Sequence, residues 1–334
     1  MSPVTLPPIP VLSSPIAPAL ARFLEWKRAS GYRYREETRE LQVLDRFLAQ
    51  ALSAEAPFIS MDVIRAFVAR RGDESETTRA HRLSLIRQVS RFLALEDQRT
   101  AVPGPRWLNI RRRTFLPRVL TLDEGRRFLD ASTTLRNANC SPVRDVVLGT
   151  ALALLYLTGL RAGELLRLTD TDVDLAKEVL QVRNSKFGKS RLVPIASDVA
   201  ARLRICRTKV EGRFGPIRPE DPFFPSPRGG PYSITSLQSA FPQVLAAARI
   251  PRRSGGRRIR LHDLRHTFAV HRLALWFRQH RDFAADLPVL ATYLGHVGLA
   301  SSQRYLQLTE DLVGEVTSRF EARFGHLIDD GGRS

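Results

Sequence analysis

Ser141-Pro-Val-Arg-Asp-Val-Val-Leu-Gly-Thr-Ala-Leu-Ala-Leu-Leu-Tyr-Leu-Thr-Gly159-Leu-Arg161-Ala-Gly-Glu164 is the stretch on which the reading of the fold turns. From Ser141 and Pro142, which suit a helix start, to Gly159, which suits a helix end, it is apolar on most sides, as expected of a helix at the centre of a domain. Its most apolar part, Val146 to Leu157, is about a dozen residues long, short of the roughly 20 needed to cross a bilayer, so no membrane span is expected. Downstream, a short helical stretch is expected from Ala162 to Leu168, then three short strands at Thr171 to Asp174, Val179 to Arg183 and Arg191 to Ile195, with Pro194 marking an edge. Helices follow at Ser197 to Phe214, Ser236 to Ala248, His262 to Gln279, Leu287 to Leu294, Ser301 to Leu306 and Glu310 to Phe324. Upstream, Thr121-Leu-Asp-Glu124 is a capping-box signature for a helix to about Ala131. The region 119–334 therefore reads as a mixed α+β domain, mainly helical, with a small three-stranded antiparallel sheet.

Nearer the N-terminus the apolar residues again recur at helical spacing: Ile16, Leu20, Phe23 and Leu24; Leu41, Leu44, Phe47, Leu48 and Leu52; Ile64, Phe67 and Val68; Leu85, Ile86, Val89, Phe92 and Leu93. Residues 16–100 are expected to form a four-helix domain, preceded by a flexible tail at 1–15, and the whole chain is mainly α. The fourth helix carries Arg79, Arg82, Arg87 and Arg91 on its polar side, a face that either meets solvent or meets nucleic acid. Between 101 and 118 the pattern breaks into Pro and Gly, then Arg111, Arg112, Arg113 and Arg118, which suits a basic linker close to phosphates if DNA passes between the domains.

At 334 residues and 43% apolar content the chain can build two cores, and its formal net charge of +18 favours a polyanionic partner, nucleic acid first. A generally basic soluble protein is the plainer alternative. Cys140 and Cys206 are too few for a disulfide framework or a four-cysteine zinc site, which fits a reducing cytosol. His262-Asp-Leu-Arg265 opens a helix with His262 and Arg265 one turn apart on one face, where an imidazole and a planar guanidinium could grip one anion. His262 and His266 superficially resemble a zinc-binding helix, but Asp263 stands where a metalloprotease has Glu and no third ligand has a recognisable spacing, so no metal is expected. A second basic run, Pro251 to Arg260 with Arg257 and Arg258, precedes that helix and is expected to touch DNA backbone.

Taken in order, Thr158-Gly-Leu-Arg161-Ala-Gly-Glu164-Leu, His262-Asp-Leu-Arg265-His-Thr-Phe, and Leu294-Gly-His296 followed by Tyr305 resemble the successive boxes of the tyrosine recombinase, or phage integrase, family. The resemblance covers roughly 119–325 in detail, and the preceding helices are similar in kind to the family's core-binding (SAM-like) DNA-binding domain. It implies a site-specific recombinase of integrase or transposase type that acts on double-stranded DNA through a 3'-phosphotyrosine. Tyr305 would be the nucleophile, Arg161 and Arg265 the clamp on the two non-bridging oxygens, and His262 the proton acceptor or positioner. His296 would supply a further hydrogen bond, and Glu164 would hold Arg161. The family's hairpin lysine matches Lys186, with Lys189 as the substitute because Phe187 replaces a usual glycine. No cofactor is implied, because the tyrosyl ester keeps the phosphodiester's energy. The resemblance also implies a homo-oligomer, a tetramer in the synapse tied together through the C-terminal helix, that accessory recombinases or DNA-bending proteins could join, in a bacterial cytoplasm at the nucleoid. A type IB topoisomerase-like nicking and closing enzyme and a silent DNA-binding relative are the alternatives.

Overall fold

The computed structural model describes residues 8–295 except Arg33, Ala56, Arg106, Asn109, 111–116, Thr134, 136–142, 184–189, Gly255, His280 and Asp282. The chain divides into two units, 1–115 and 116–334.

In the first unit, α1 (Ala17–Ala29), α2 (Arg35–Ala51), α3 (Met61–Val68) and α4 (Glu76–Leu93) surround Leu20, Phe23, Leu24, Leu41, Leu44, Leu48, Ile64, Phe67, Ile86 and Val89, all fully buried. Each such side chain removed from water stabilises the unit by about 1.5–3 kcal/mol. Ser60 and Ser75 cap α3 and α4 by accepting the N–H of Val63 and Thr78. Two expectations about the ends of this unit are corrected. Ser13 and Ser14 are not part of a loose tail: their N–H groups donate to buried Asp45 of α2 at 2.7 and 3.0 Å. Residues 101–110 are not simply linker either, because the Ala101 N–H donates to Ile59 O and Trp107, Leu108 and Ile110 pack on the helical core.

In the second unit α5 (Leu122–Ala131) starts at a complete capping box, Thr121 with Glu124. Central α6 (Arg144–Thr158) is buried almost all round and packs against α5, α8, α9 and α10. Ser141 and Pro142, read as its start, lie outside the described residues. The helix after it, α7, is only Ala162–Leu165. The first expected strand is shortened: Asp170–Asp172 forms a 3-10 turn capped by Thr169, leaving β1 (Val173–Asp174). With β2 (Val179–Val182) and β3 (Arg191–Pro194) it makes an antiparallel sheet in the order β1-β2-β3, so Pro194 does lie on an edge strand. Then come α8 (Ser197–Phe214) and α9 (Ile234–Ala247), the latter capped by Ser233, so that it starts two residues before the expected Ser236.

The basic run 251–260 is more ordered than a loop, folding into a small ribbon of β4 (Arg253–Ser254) and β5 (Arg257–Arg258). It leads into α10 (Asp263–Arg278) and then α11 (Phe283–Leu294), which begins four residues ahead of Leu287 and runs through Pro288. Phe268, Ala269, Val270 and Leu273 of α10 close on Leu290 and Leu294 of α11 in a small core of their own. The helices expected at 301–306 and 310–324 lie outside the described residues. None of the described helices is long and apolar enough to cross a membrane.

Candidate active site

Two glycines bring the site's backbone together. Gly159 ends α6 with φ +63°, and a Cβ there would stand 2.6 Å from the Phe268 ring and 2.9 Å from Leu294. Only glycine satisfies both the left-handed turn and that close approach. Gly295 ends α11 with φ +70°. The chain leaves Gly159 through buried Leu160 to Arg161.

Arg161, Arg191 and Arg265, from three distant parts of the sequence, converge on the C-terminal end of α11. Arg191 Nε donates to Tyr293 O at 2.8 Å, Arg265 Nη2 to Leu294 O at 2.6 Å, and Arg161 Nη2 to Gly295 O at 3.3 Å. Terminal carbonyls lack intrahelical partners and carry the negative end of the helix dipole, so they attract donors with positive charge. Arg265, buried, reaches the other way as well, donating from Nη1 to Gly159 O at 2.7 Å. It thereby ties α10 to the ends of both α6 and α11.

One carboxylate serves two of these cations. Glu164 accepts the Arg161 N–H at 3.1 Å and Nη1 at 2.7 Å, and Arg191 grips it with both guanidinium nitrogens at 3.2 and 2.9 Å. Burial would raise the Glu164 pKa, but the Arg191 and Arg161 hydrogen bonds, with the Arg191 charge, outweigh it and bring it to about 2. Glu164 is ionised at neutral pH, and the guanidiniums of Arg161 and Arg191 share its negative charge.

His262 occupies the N-cap position of α10, and the turn before it is fixed by Asp263, whose buried carboxylate accepts the Arg260 N–H at 2.8 Å. Burial, then the charges of Arg265, Arg260 and Arg161, lower the His262 pKa to about 4. The ring is thus neutral at pH 7, although the residue is open to solvent. It meets His266 edge to face, with ring centres 5.0 Å apart. On the same helix, Thr267 accepts the Leu120 N–H at 3.2 Å and His271 Nε2 contacts Leu120 O at 2.8 Å, which clamps the start of this unit to α10.

Of the residues anticipated from sequence, Arg161, Glu164, His262 and Arg265 are brought together. Lys186, Lys189, His296, Tyr305 and Arg111, Arg112 and Arg113 lie outside the described residues, as does the side chain of Arg257. Arg258 is exposed on β5 and Arg91 on α4. Arg82 is corrected: it is buried, with its guanidinium donating to Phe67 O, Ala69 O and Glu74, so it holds the end of α3 rather than facing DNA. Arg79 and Arg87 also donate inward, to Val68 O and to Pro103 O and Gly104 O. Arg118, expected near phosphates, is buried against Glu124 at 2.7 Å and Pro251 O. Arg191 was not singled out from sequence, though it stands in the same lysine-bearing run as Lys186 and Lys189.

The sequence matches the phage integrase family over residues 118–311. It is 34% identical over 302 residues to y4rE of Sinorhizobium fredii, a protein named as an integrase/recombinase, covering 89% of this chain and 93% of that one. It is 32% identical over 325 residues to the tyrosine recombinase XerC of Methylobacterium nodulans, covering 91% and 92%. Among solved structures, the XerH site-specific recombinase bound to its palindromic difH substrate is similar with a TM-score of 0.65 and 17% identity, over 95% of this chain and 100% of that one.

Proposed function

The chain belongs to the phage integrase family, the tyrosine recombinases, and on that premise we propose that Arg161 and Arg265 form the phosphate clamp of its strand-exchange site. The protein is a site-specific recombinase, an enzyme that breaks and rejoins DNA. The observation that carries the proposed clamp is the convergence of both arginines on Leu294 O and Gly295 O, directly before the His296 box. Guanidiniums fixed by backbone carbonyls are preorganised, so stabilising a pentacoordinate phosphorane costs little rearrangement.

In this reading the Tyr305 hydroxyl attacks the scissile phosphorus and its proton passes to neutral His262, while Arg161 and Arg265 hold the two non-bridging oxygens. His296 adds a hydrogen bond to the same group. Lys186, with Lys189 as its substitute, protonates the departing 5'-oxygen. A free 5'-hydroxyl and a 3'-phosphotyrosine result, and attack on that ester by another 5'-hydroxyl reverses the chemistry without an external energy source. The helices of residues 16–100 act as the core-binding domain on double-stranded DNA, with Arg91 and Arg258 on phosphates. Four copies, linked through the segment 310–324, make the synapse, for integration or transposition of a mobile element, with accessory recombinases or DNA-bending proteins as further partners. Relatives that span nearly the whole chain and are named recombinases favour this reading over a topoisomerase or a silent DNA-binding protein.

A nicked suicide substrate tests it, because loss of the short 5'-hydroxyl strand traps the covalent complex. The parent protein is expected to give a denaturant-stable protein–DNA band, and Tyr305→Phe to give none while still shifting the DNA in a native gel. A covalent band from the Phe variant would refute the assignment of the nucleophile.

A further inference from the structure

Arg191 stands at the first position of β3, paired across the sheet with Val182, so it closes the base of the 183–190 connection that carries Lys186 and Lys189 in the sequence. Its guanidinium spends itself inside the protein: Nε on Tyr293 O, both terminal nitrogens on Glu164. A Cβ on Gly295 would lie 2.9 Å from its Nη1, so the turn out of α11 is also shaped around this side chain.

The arrangement matters for charge as well as shape. If Glu164 faced Arg161 alone, the pair would be neutral and an incoming phosphate would have to compete with a carboxylate 2.7 Å from the guanidinium. With Arg191 on the same carboxylate, the three groups carry one net positive charge. Side-chain exposure is 29% for Arg161 and 11% for Arg191, so the excess is offered to solvent chiefly at Arg161.

We propose that Arg191 is a positioning residue for strand cleavage: by sharing Glu164 it leaves Arg161 only partly neutralised for the scissile phosphate, and it moors the start of β3 to the end of α11. This rests on Arg161 being a phosphate ligand.

The test is the single-turnover rate of covalent trapping on the suicide substrate at saturating protein, measured beside DNA affinity and thermal unfolding. Arg191→Met is expected to slow trapping about a hundredfold, with affinity for DNA little changed. Arg191→Lys, which keeps the charge and loses the fork, should lie between Met and parent. The discriminating variant is Glu164→Gln combined with Arg191→Met. It removes the carboxylate together with its second partner, restores the net charge, and should trap about tenfold faster than Arg191→Met alone. A purely architectural Arg191 predicts no such recovery. Should Arg191→Met fail to fold because Glu164 is left half-paired, the double variant carries the test alone and should trap within about tenfold of the parent. Trapping at the parent rate by Arg191→Met, a double variant no faster than Arg191→Met, or a folded double variant that does not trap would each overturn the proposal. Arg161→Ala separates the two levels: normal trapping by that variant would remove the phosphate clamp itself, whereas its loss alongside normal Arg191→Met trapping would remove only the present inference.

Discussion

Two helix ends in this molecule are built alike and differ in charge. At the end of α3 the carbonyls of Phe67, Val68 and Ala69 are taken by Arg82, Arg79 and Arg82 again. At the end of α11 those of Tyr293, Leu294 and Gly295 are taken by Arg191, Arg265 and Arg161. The first set is balanced, since Arg82 pairs with Glu74 and Arg79 with Glu76. In the second, Glu164 is the carboxylate shared by Arg161 and Arg191, while Arg265 spans two backbone carbonyls. Arginine capping of a helix end is ordinary structural chemistry, and what turns this one toward an anion is that Arg161 and Arg191 share one carboxylate where Arg82 and Arg79 have one each.

The largest expected effect separates the two ends by substituting one arginine in each. Arg265→Ala should lower the rate of covalent trapping about a thousandfold, the scale seen when a preorganised donor to a developing negative charge is lost. Arg82→Ala should leave trapping unchanged in the protein that remains folded, while destabilising the first unit by about 3 kcal/mol, because Glu74 and two helix-end carbonyls lose their partner. Chemical denaturation followed beside trapping distinguishes them. A fall in trapping with Arg82→Ala at full folding would mean that the balanced end also serves the reaction.

A smaller effect is expected at Gly295. Its φ of +70° costs a residue with a Cβ about 1–2 kcal/mol, and that Cβ would press on the Arg191 guanidinium. Gly295→Ala should therefore lower Tm and slow trapping together, whereas Gly72→Ala, which has φ +48° but nothing within 4 Å of the added carbon, should lower Tm alone. Equal behaviour of the two variants would mean that the turn after α11 does not shape the site.

The same contrast explains what could be read before the structure. Thr121-Leu-Asp-Glu124, Gly159 and the span of α8 announce themselves because capping and helical periodicity are properties of neighbouring residues. Arg161, His262 and Arg265 were pointed to by the resemblance of short motifs, read in order, to the recombinase boxes. The acceptors that orient the arginines were not legible: they are backbone carbonyls, which every residue possesses, selected by where α11 happens to stop. Nor was the inward turn of Arg82 and Arg118, since a polar helix face or a basic loop looks the same in sequence whether solvent, DNA or a helix end lies opposite. Arg191 stayed hidden because its partner Glu164 is 27 positions away and touches it through the fold alone.

The smallest effect concerns pH, and it probes the charge excess from the side of His262. In the unfolded chain this imidazole titrates at its ordinary 6.5, and in the folded one at about 4 because of burial and the charges of Arg265, Arg260 and Arg161. Between these values the unfolded chain binds a proton that the native one refuses. Stability from this group is accordingly complete above pH 6.5 and declines as the pH falls toward 4. Following the His262 Hε1 resonance, assigned by its loss in His262→Asn, should show a midpoint well below 6.5. Arg161→Gln should move it upward, since one of the cations that holds the ring neutral is gone. An equivalent substitution at the balanced end, Arg79→Gln, should leave it where it was. A midpoint near 6.5 in the parent would mean that Arg265 and Arg161 at the end of α11 are not felt at the imidazole, and the two helix ends would not differ in their electrostatics.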